Sequence, residues 1–489
     1  MPIAPKTITQ LQPTSLWNYF NQLCEIPRPS KHEQKLVSHI IALAHNKGLD
    51  AFTDKAGNVI IRKAATQGRE SAPPVVMQSH LDMVPQKTDE SKHDFLNDPI
   101  DAYIDGEWVT ARGTTLGADN GIGVAAILAV VFSDDIAHGP LEALLTIDEE
   151  AGMTGAANLE AGVLQGKLLL NLDTEEEGEL YVGCAGGIDV NITVPVEWCS
   201  VESNYVAFSI SIKGLMGGHS GIDIHRGRGN AVKLATRIVL EAQYDFPLLR
   251  MCTLEGGTLR NAIPRNSELT VVLPKNRQED FEDYLHASTL LFRSELQIAK
   301  DTVEIETQRV ASPEKCLTQE CQHTLLKALY KCPNGMIKMS EFFDGVVETS
   351  NNLATIKLSD KHCHAQCLVR SSVTPSINSA CNLIESAFSA ANAKITTDNG
   401  YPGWQPVPSS PLLQTMQQVY SDTFNKEAKI QVIHAGLECG LLGEKYPEWD
   451  MISFGPTIRG AHSPDERAHI KSVQHFWGYL LAALDAISQ

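Results

Sequence analysis

Length, composition and charge limit the classes of protein that this sequence can encode. The 489 residues are too many for one ordinary hydrophobic core, so about two to four domains are expected. Hydrophobic residues make up 43% and charged residues 20%, which is typical of soluble globular proteins. The net charge of -19 argues against nucleic acid or an anionic membrane as partner, because both attract basic surfaces.

Targeting signals and cysteine usage point to the cytoplasm. The N-terminal segment MPIAPKTITQLQPTSLW lacks the apolar stretch after basic residues that marks a secretory signal. No run reaches the roughly 18 uninterrupted apolar residues of a membrane span. The eleven cysteines are scattered and form no C-x-x-C pairs at zinc-site spacing. These features predict a cytoplasmic protein with reduced thiols.

The first 186 residues alternate predicted helices and strands. The predicted elements are helices within residues 13–50, a strand pair near Asp50–Lys63, a strand in Val75–Val84, a polar loop at Pro85–Asp105, a buried helix from Val124, and strands Leu141–Ile147 and Lys167–Leu172. A fourth strand, Met451–Phe454, follows much later. This alternation implies an α/β domain with a mixed, mostly parallel sheet covered by helices.

Acidic or imidazole side chains follow these apolar strands or lie in a glycine-rich turn. They are His80, Asp82, Asp119, Glu149, Glu150, Asp173 and His462. In such sheets the ligand crevice lies beyond the carboxyl ends of the strands, so all seven are expected at one crevice. Each has an ordinary explanation by itself: Asp119 as a helix cap, Asp82 as a surface carboxylate, and the acidic run as a solvated turn.

Five or more carboxylates in one crevice would repel each other strongly unless cations neutralised them. Two divalent ions are the simplest such cations. A dinuclear site needs a bridging carboxylate, outer ligands on each ion and an unliganded carboxylate as proton shuttle. Because neighbours in an extended segment point to opposite sides, Glu149 and Glu150 should not both bind one ion unless the chain bends, so one is predicted as a ligand and the other as a base.

Residues 187–400 show the pattern of helices and strands typical of an α+β domain. Residues 401–489 again alternate helices and strands as the first 186 residues do. We predict a catalytic domain formed by residues 1–186 and 401–489, with residues 187–400 inserted as a lid domain. The lid is predicted to contain two tandem units, the second beginning with strand Thr302–Val310. His219 lies at a glycine-rich turn in the first unit, where a helix-cap histidine is the ordinary alternative.

The order of five motifs, H-L-D, G-A-D-N-G, D-E-E, N-L-D and G-A-H, resembles the M20 clan of metallopeptidases over nearly the whole chain. The motifs G-G-H-S-G, G-G-T-L-R-N-A-I-P and H-A-G-L-E-C-G are similar to its aminoacyl-histidine dipeptidase branch. The resemblance implies two zinc ions, which cobalt or manganese could replace.

The resemblance also implies a role for each crevice residue. Asp119 would bridge the ions, and its peptide bond to Asn120 is expected to be cis. The implied ligands are His80 and Asp173 for one ion, and Glu150 and His462 for the other. Glu149 would take a proton from the attacking water and pass it to the leaving amine. Asp82 would orient the His80 ring.

Four further residues are expected to bind substrate. By resemblance, His219 would contact the oxyanion, in many relatives across a dimer interface, so a homodimer is expected. Because the lid is doubled, the second unit could instead complete the site within one chain. Arg370, assisted by Asn261, would bind the substrate's terminal carboxylate, the alternatives being a surface arginine and a turn asparagine. Glu438 could hold the free amine.

These residues lead to a hypothesis of a dinuclear zinc dipeptidase that cleaves unblocked Xaa-His dipeptides such as carnosine. The alternatives are a tripeptide aminopeptidase, an amidohydrolase of N-acyl amino acids, or a non-catalytic metal-binding protein. Glu149 argues against the last, because a structural site needs no unliganded base. A serine hydrolase is not indicated, since Ser79 beside His80 lacks a G-x-S-x-G elbow.

Overall fold

The computed structural model describes residues 6–489, which form two compact units. The first unit contains the described residues up to Gly183, together with Pro406–Val432 and Leu437–Gln489. The second unit contains Cys184–Gln405 and Ile433–Gly436. The predicted boundaries lie near these borders, except that Ile433–Gly436 belongs to the second unit and not to the catalytic domain.

Helices and strands alternate through both units. The helices are α1 (Thr14–Glu25), α2 (Gln34–Asn46), α3 (Ala118–Val131), α4 (Glu149–Gly152), α5 (Thr154–Asn158), α6 (Ala231–Asp245), α7 (Gln278–Glu295), α8 (Gln319–Lys331), α9 (Thr374–Phe388), α10 (Pro411–Phe424), α11 (Glu438–Lys445) and α12 (Ile470–Ile487). The strands are β1 (Asp50–Thr53), β2 (Val59–Lys63), β3 (Val75–His80), β4 (Ala102–Asp105), β5 (Trp108–Ala111), β6 (Leu141–Thr146), β7 (Leu168–Asn171), β8 (Glu179–Cys184), β9 (Gly186–Pro195), β10 (Trp198–Ser200), β11 (Tyr205–Lys213), β12 (Gly218–His219), β13 (Arg250–Gly256), β14 (Ala262–Ile263), β15 (Ser267–Pro274), β16 (Glu304–Val310), β17 (Lys315–Leu317), β18 (Gly335–Met339), β19 (Val347–Leu358), β20 (His362–Ser371), β21 (Lys394–Tyr401), β22 (Lys429–Ile433), β23 (Asp450–Ser453), β24 (Ile458–Arg459) and β25 (Arg467–His469). Among the described residues, no helix combines the length and the apolar character needed to cross a membrane.

The first unit is built on an eight-stranded sheet with the order β1-β2-β6-β3-β7-β23-β8-β22. Strands β6, β3, β7 and β23 run parallel at its centre. Strands β1 and β2 are antiparallel to their neighbours, and β8 is antiparallel to β23. Every residue of β3 and β6 is buried, as expected for parallel strands covered on both faces. The predicted α/β fold with a mixed sheet is therefore confirmed.

Helix α3 packs closely against the ends of the central strands. Its residues from Asn120 to Val131 are all buried, so it lacks a polar face. A Cβ atom on Gly123 would lie 2.4 Å from the Ser79 hydroxyl and 2.6 Å from the carbonyl oxygen of Leu172. Only glycine allows the start of α3 to lie this near to the ends of β3 and β7.

A small sheet of the first unit was not predicted. Its order is β24-β25-β5-β4, and β4 lies at the end of the region Pro85–Asp105 that was predicted as a loop. These strands have two to four residues, too few for a recognisable alternation of apolar side chains. The sheet matters for function because the turn between β24 and β25 carries His462, whose φ is 64°.

The second unit contains a nine-stranded sheet built from two β-α-β-β-α-β repeats. The first repeat is β11-α6-β13-β15-α7-β16, with its strands in the order β16-β11-β15-β13. The second repeat uses β9, then α8, β19, β20, α9 and β21, with its strands in the order β19-β20-β9-β21. Strands β13 and β19 join the two repeats.

This connectivity corrects the prediction of two tandem units. The strand Glu304–Val310, predicted to open the second unit, is the edge strand of the first repeat and pairs with β11. The opening strand of the second repeat is β9, which precedes the whole first repeat in the chain. The repeats are therefore nested and not consecutive.

Candidate metal centre

Imidazole and carboxylate groups of the first unit converge where the central strands end. Three groups of side chains offer ligand atoms that lie within 4.8 Å of one another: His80 with Asp119 and Asp173, His80 with Glu149 and Glu150, and Asp119 with Glu150 and His462. The structure thus brings together all the predicted metal ligands and the predicted base, which come from segments far apart in the sequence.

Asp119 lies between two imidazoles. Its Oδ1 atom is 3.2 Å from Nε2 of His80, and its Oδ2 atom is 3.1 Å from Nε2 of His462. The peptide bond between Asp119 and Asn120 is cis, as the resemblance implies. A carboxylate whose two oxygens face different imidazoles has the geometry of a bridging ligand.

The outer ligand candidates complete two sets of donors. Asp173 Oδ1 lies 3.4 Å from Nε2 of His80, and Glu150 Oε2 lies 3.0 Å from Nε2 of His462. The other oxygen of Glu150, Oε1, is buried without a hydrogen-bond partner. A buried oxygen of this kind is costly unless a cation or donor satisfies it. The mixture of imidazole and carboxylate fits zinc, cobalt or manganese.

Protons balance the charge of these groups when no ion is bound. Burial lowers the pKa of His80, but the nearby carboxylates of Asp173, Asp119 and Asp82 outweigh it and raise the pKa well above its ordinary value. Hydrogen bonds to Asp119 and Glu150 raise the pKa of His462 to about 11. Both imidazoles are then cationic, so a metal ion must displace their protons to bind.

Glu149 and Glu150 open the short helix α4 instead of continuing strand β6. Asp148, just before them, has φ 53° and ψ 41°, and this left-handed residue bends the chain. The prediction that the two carboxylates point to opposite sides holds only for an extended segment, and the chain bends here instead. Burial, followed by the charges of Asp173, Glu438 and Glu150, raises the pKa of Glu149 well above its ordinary value, despite the opposing effect of His80.

Asp82 connects the end of β3 to the start of α4. Its carboxylate accepts hydrogen bonds from the backbone N–H groups of Glu149 (3.0 Å) and Glu150 (3.1 Å). Its Oδ1 atom lies 3.5 Å from Nδ1 of His80. Burial raises the pKa of Asp82, but these hydrogen bonds and the charge of His80 lower it to about 2. The Ser30 hydroxyl also donates to Asp82, at 2.8 Å.

Two buried residues beside this site were missed by the sequence reasoning. Arg28 donates to the carbonyl oxygens of Leu81, Asp82 and Gly117. Glu466 accepts hydrogen bonds from the backbone of the loop that carries Asp119. Neither residue belongs to a recognised motif. The only signal was the position of Glu466, four residues after His462 in H-S-P-D-E.

Glu438 lies inside the first unit. It has no exposed surface, and its Oε2 atom accepts hydrogen bonds from the side chains of Gln78 and Thr146. Burial raises its pKa to about 8, a shift that His80 and Thr146 oppose. This enclosure does not fit the predicted contact with a substrate amine. The sequence could not show it, because the position of Glu438 at the start of α11 gives no indication of burial.

The predicted substrate residues His219, Asn261 and Arg370 lie in the second unit. Nδ1 of His219 accepts the backbone N–H groups of Gly221 and Ile222, both at 3.2 Å. The proton of a neutral His219 is then on Nε2, where it can be donated. Burial and the charge of Arg370 lower the pKa of His219, although Asp223 opposes them, which keeps the ring neutral near pH 7.

Arg370 is buried next to hydroxyl groups. It is 5% exposed and donates to the Tyr401 hydroxyl at 2.8 Å. Within residues 6–489, no carboxylate lies close enough to form an ion pair with it. The side chain of Asn261 is exposed, and the backbone carbonyl oxygen of Asn261 accepts the backbone N–H group of Ser220, next to His219. A buried guanidinium of this kind can receive an anion.

The sequence reasoning also gave no role to His434, a buried histidine of the second unit. Its Nε2 atom lies 2.7 Å from the Ser350 hydroxyl. Burial, together with the charges of Arg370, His225 and His219, lowers its pKa to about 3, and a hydrogen bond to the backbone of Val347 opposes them only in part.

The low pKa of His434 predicts a loss of stability in mild acid. Between about pH 6.5 and pH 3, His434 is protonated in the unfolded chain but not in the folded chain. The free energy of unfolding therefore falls as the pH is lowered through this range. His434 alone should reduce the free energy of unfolding by about 2 kcal/mol between pH 7 and pH 5. Urea titrations of the metal-free protein at both pH values measure this.

The control for that experiment is a pair of glutamine variants. His434→Gln should show a smaller loss between the two pH values, whereas His323→Gln, on the exposed surface of α8, should behave as the wild type. An equal loss in wild type and His434→Gln would contradict the expectation.

A parallel-centred sheet whose strand ends gather imidazoles and carboxylates around one shared aspartate has the arrangement of a metal-dependent hydrolase. The chain belongs to peptidase family M20/M25/M40, whose model matches residues 76–486, and it is therefore a peptide-bond hydrolase. The family predicted from the motif order is confirmed.

Two relatives cover nearly the whole chain. The cytosol non-specific dipeptidase of Escherichia coli (strain K12) is 44% identical over 480 residues, which are 98% of this chain and 99% of the relative. The crystal structure of aminoacylhistidine dipeptidase from Vibrio alginolyticus matches with a TM-score of 0.94 and 46% identity, covering 98% of each chain. Aminopeptidase PepT from Bacillus cereus, at 14% identity, a TM-score of 0.58 and coverage of 98% and 100%, shares the fold.

Proposed function

We propose that this chain is a dinuclear zinc dipeptidase that hydrolyses unblocked dipeptides, with a preference for Xaa-His dipeptides such as carnosine. The observation that carries the proposal is the position of Asp119, whose two oxygens face His80 and His462 at 3.2 and 3.1 Å. His80 and Asp173 would hold one ion, Glu150 and His462 the other, and Asp119 both. Cobalt or manganese has the same ligand preferences.

The bound ions would supply Lewis acidity, which polarises the scissile carbonyl and makes water a stronger nucleophile at neutral pH. Glu149 takes a proton from the attacking water and gives it to the leaving amine. Burial raises the pKa of Glu149 above its ordinary value, which favours uptake of the proton that it must carry. Asp82 keeps the His80 ring in its orientation through Nδ1, which leaves Nε2 for the ion.

Residues of the second unit are proposed to bind two polar groups of the substrate: the oxygen of the scissile carbonyl and the terminal carboxylate. Nε2–H of His219 would donate to the oxyanion that forms during attack. Arg370 would bind the terminal carboxylate, since its guanidinium is buried and lacks an acidic partner within the described residues, and Asn261 would assist it. Glu438 is withdrawn from this set, and we assign it to the polar interior below the metal ligands.

The names of the two relatives support dipeptides as the class of substrate and indicate either broad selectivity or selectivity for aminoacyl-histidines. One relative is named a non-specific dipeptidase and the other an aminoacylhistidine dipeptidase. The first of these is a cytosol enzyme by name, which agrees with the cytoplasmic location predicted from the sequence. A homodimer, in which His219 could act across the interface, stays a proposal.

A substrate panel tests the proposed function. The metal-loaded protein should hydrolyse free dipeptides, including carnosine and other Xaa-His pairs, and should act poorly on tripeptides and N-acyl amino acids. Replacing the C-terminal carboxylate of a dipeptide with an amide should lower kcat/KM by about 10- to 100-fold, because Arg370 then loses a charged hydrogen-bond partner.

Each contrary result would favour a different activity or contradict a proposed residue role. Preference for tripeptides would favour an aminopeptidase, and preference for N-acyl amino acids would favour an amidohydrolase. Equal rates for the free and amidated dipeptides would contradict the role of Arg370 in carboxylate binding.

A further inference from the structure

Glu466 holds the loop that carries Asp119. Its carboxylate accepts hydrogen bonds from four successive backbone N–H groups: Oε2 from Leu116 (2.8 Å) and Gly117 (2.9 Å), and Oε1 from Ala118 (2.7 Å) and Asp119 (3.1 Å). Glu466 is only 2% exposed. A buried carboxylate is costly unless its oxygens are hydrogen bonded, and here each oxygen receives two donors.

Arg28 holds the same loop through its carbonyl groups. Nη2 donates to the carbonyl oxygen of Gly117 at 2.5 Å, while Nη1 donates to those of Leu81 (2.9 Å) and Asp82 (3.1 Å). Arg28 therefore ties the Asp119 loop to the segment that follows His80. Gly117 has φ 70°, and a Cβ atom there would lie 2.6 Å from Nη2, so glycine is needed for this contact.

We propose that Glu466 and Arg28 are positioning residues that fix Asp119 as the bridging ligand. Glu466 lies in the turn between β24 and β25, the same turn that carries His462, so its hydrogen bonds link the His462 turn to the Asp119 loop. Arg28 links that loop to the end of β3, which carries His80. The two residues together set the spacing of the two imidazoles on either side of Asp119. This inference rests on the proposed function only for the role of Asp119.

The chemistry of the amide makes Glu466→Gln a sharp test. In either orientation of the side chain, one oxygen is replaced by an NH₂ group that faces two backbone N–H donors. Two hydrogen bonds are lost and a donor is placed against donors, while the size of the side chain is unchanged. We expect metal affinity to fall by about 10- to 100-fold, as for other groups that orient ligands.

The measurement is competition for zinc against a chromophoric chelator, together with the visible spectrum of the cobalt-loaded protein. Glu466→Gln should bind more weakly and show an altered cobalt spectrum, whereas KM for a dipeptide at saturating metal should stay near the wild-type value. Glu466→Asp, which keeps both oxygens, should recover part of the affinity. Asp465→Asn removes an exposed carboxylate from the same turn and should leave affinity and spectrum unchanged.

Wild-type affinity and an unchanged cobalt spectrum in folded Glu466→Gln would overturn the inference. If that variant does not fold, Arg28→Lys gives the same test, because the single ammonium group of lysine cannot span the three carbonyl oxygens as the guanidinium does. Weaker binding supports the inference and unchanged binding overturns it. A wild type that binds two ions but hydrolyses no dipeptide would instead overturn the proposed substrate class and leave this inference standing.

Discussion

Glu149→Gln is expected to bind two metal ions per chain and to lose about 10²- to 10⁴-fold in kcat. The amide has the same size as the carboxylate but cannot take a proton from water. Because Glu149 is proposed as a base and not as a ligand, its loss should leave the ligand sets around His80 and His462 complete. Metal content by atomic emission and turnover of a dipeptide measure the two parts of this expectation separately.

The adjacent residue provides the matched control. Glu150→Gln makes the same chemical change one position later, but it should lower metal content as well as turnover, because Glu150 is proposed as a ligand. Glu160→Gln, at a half-exposed carboxylate paired with Lys55, should change neither. Full activity of Glu149→Gln would refute its role as base, and loss of an ion from it would make it a ligand.

This comparison is needed because geometry alone does not separate the two glutamates. Both have a carboxylate oxygen within 4.8 Å of the other and of the His80 ring. Helix α4 brings them together, and the sequence D-E-E gave no indication that a left-handed residue at Asp148 would end the extended segment. The different roles proposed for them rest on the family resemblance and on the 3.0 Å distance between Oε2 of Glu150 and Nε2 of His462.

The parts of the site that sequence predicted are those with a local signature. Apolar strands of four to six residues, one ending in His80 and one ending two residues before Asp173, can be recognised in a short window. The rule that strand ends share a crevice then brings these side chains together. Glu466 has no such signature. Its partners at Leu116 and Asp119 are 350 and 347 residues away, and only the folded chain shows that they meet.

In the second unit, too, the sequence predicted local elements but not the contacts between distant segments. The sequence predicts helices at Asn230–Ala242 and Gln322–Lys331 and strands near Met251–Glu255 and Glu268–Leu273, because each has its own apolar periodicity. The structure has α6, α8, β13 and β15 in nearly these places. Their grouping into repeats was wrong because β9 pairs with β20 and β21, across more than the length of the whole first repeat. Pairing between distant strands is not contained in the periodicity of either strand.

Substitution of the bridging aspartate should have a larger effect on metal binding than substitution of either histidine. Asp119→Ala removes a ligand from both proposed sites and should leave neither ion bound at micromolar metal. His462→Ala should retain the ion held by His80 and Asp173, and His80→Ala should retain the ion held by Glu150 and His462. Each histidine variant is therefore expected to bind about one ion per chain, and Asp119→Ala none.

Turnover should fall in all three variants, but metal content distinguishes them. A metal ion contributes several kcal/mol to stabilisation of the transition state, so the loss of one ion should lower kcat by about 10³-fold or more. Isothermal titration with zinc resolves the number of sites and their affinities. Two ions retained in Asp119→Ala would contradict the bridge, and loss of both ions in His462→Ala would mean that the two sites fill only together. Retention of one ion by each histidine variant would instead show that the first unit contains two separable sites that share a single carboxylate.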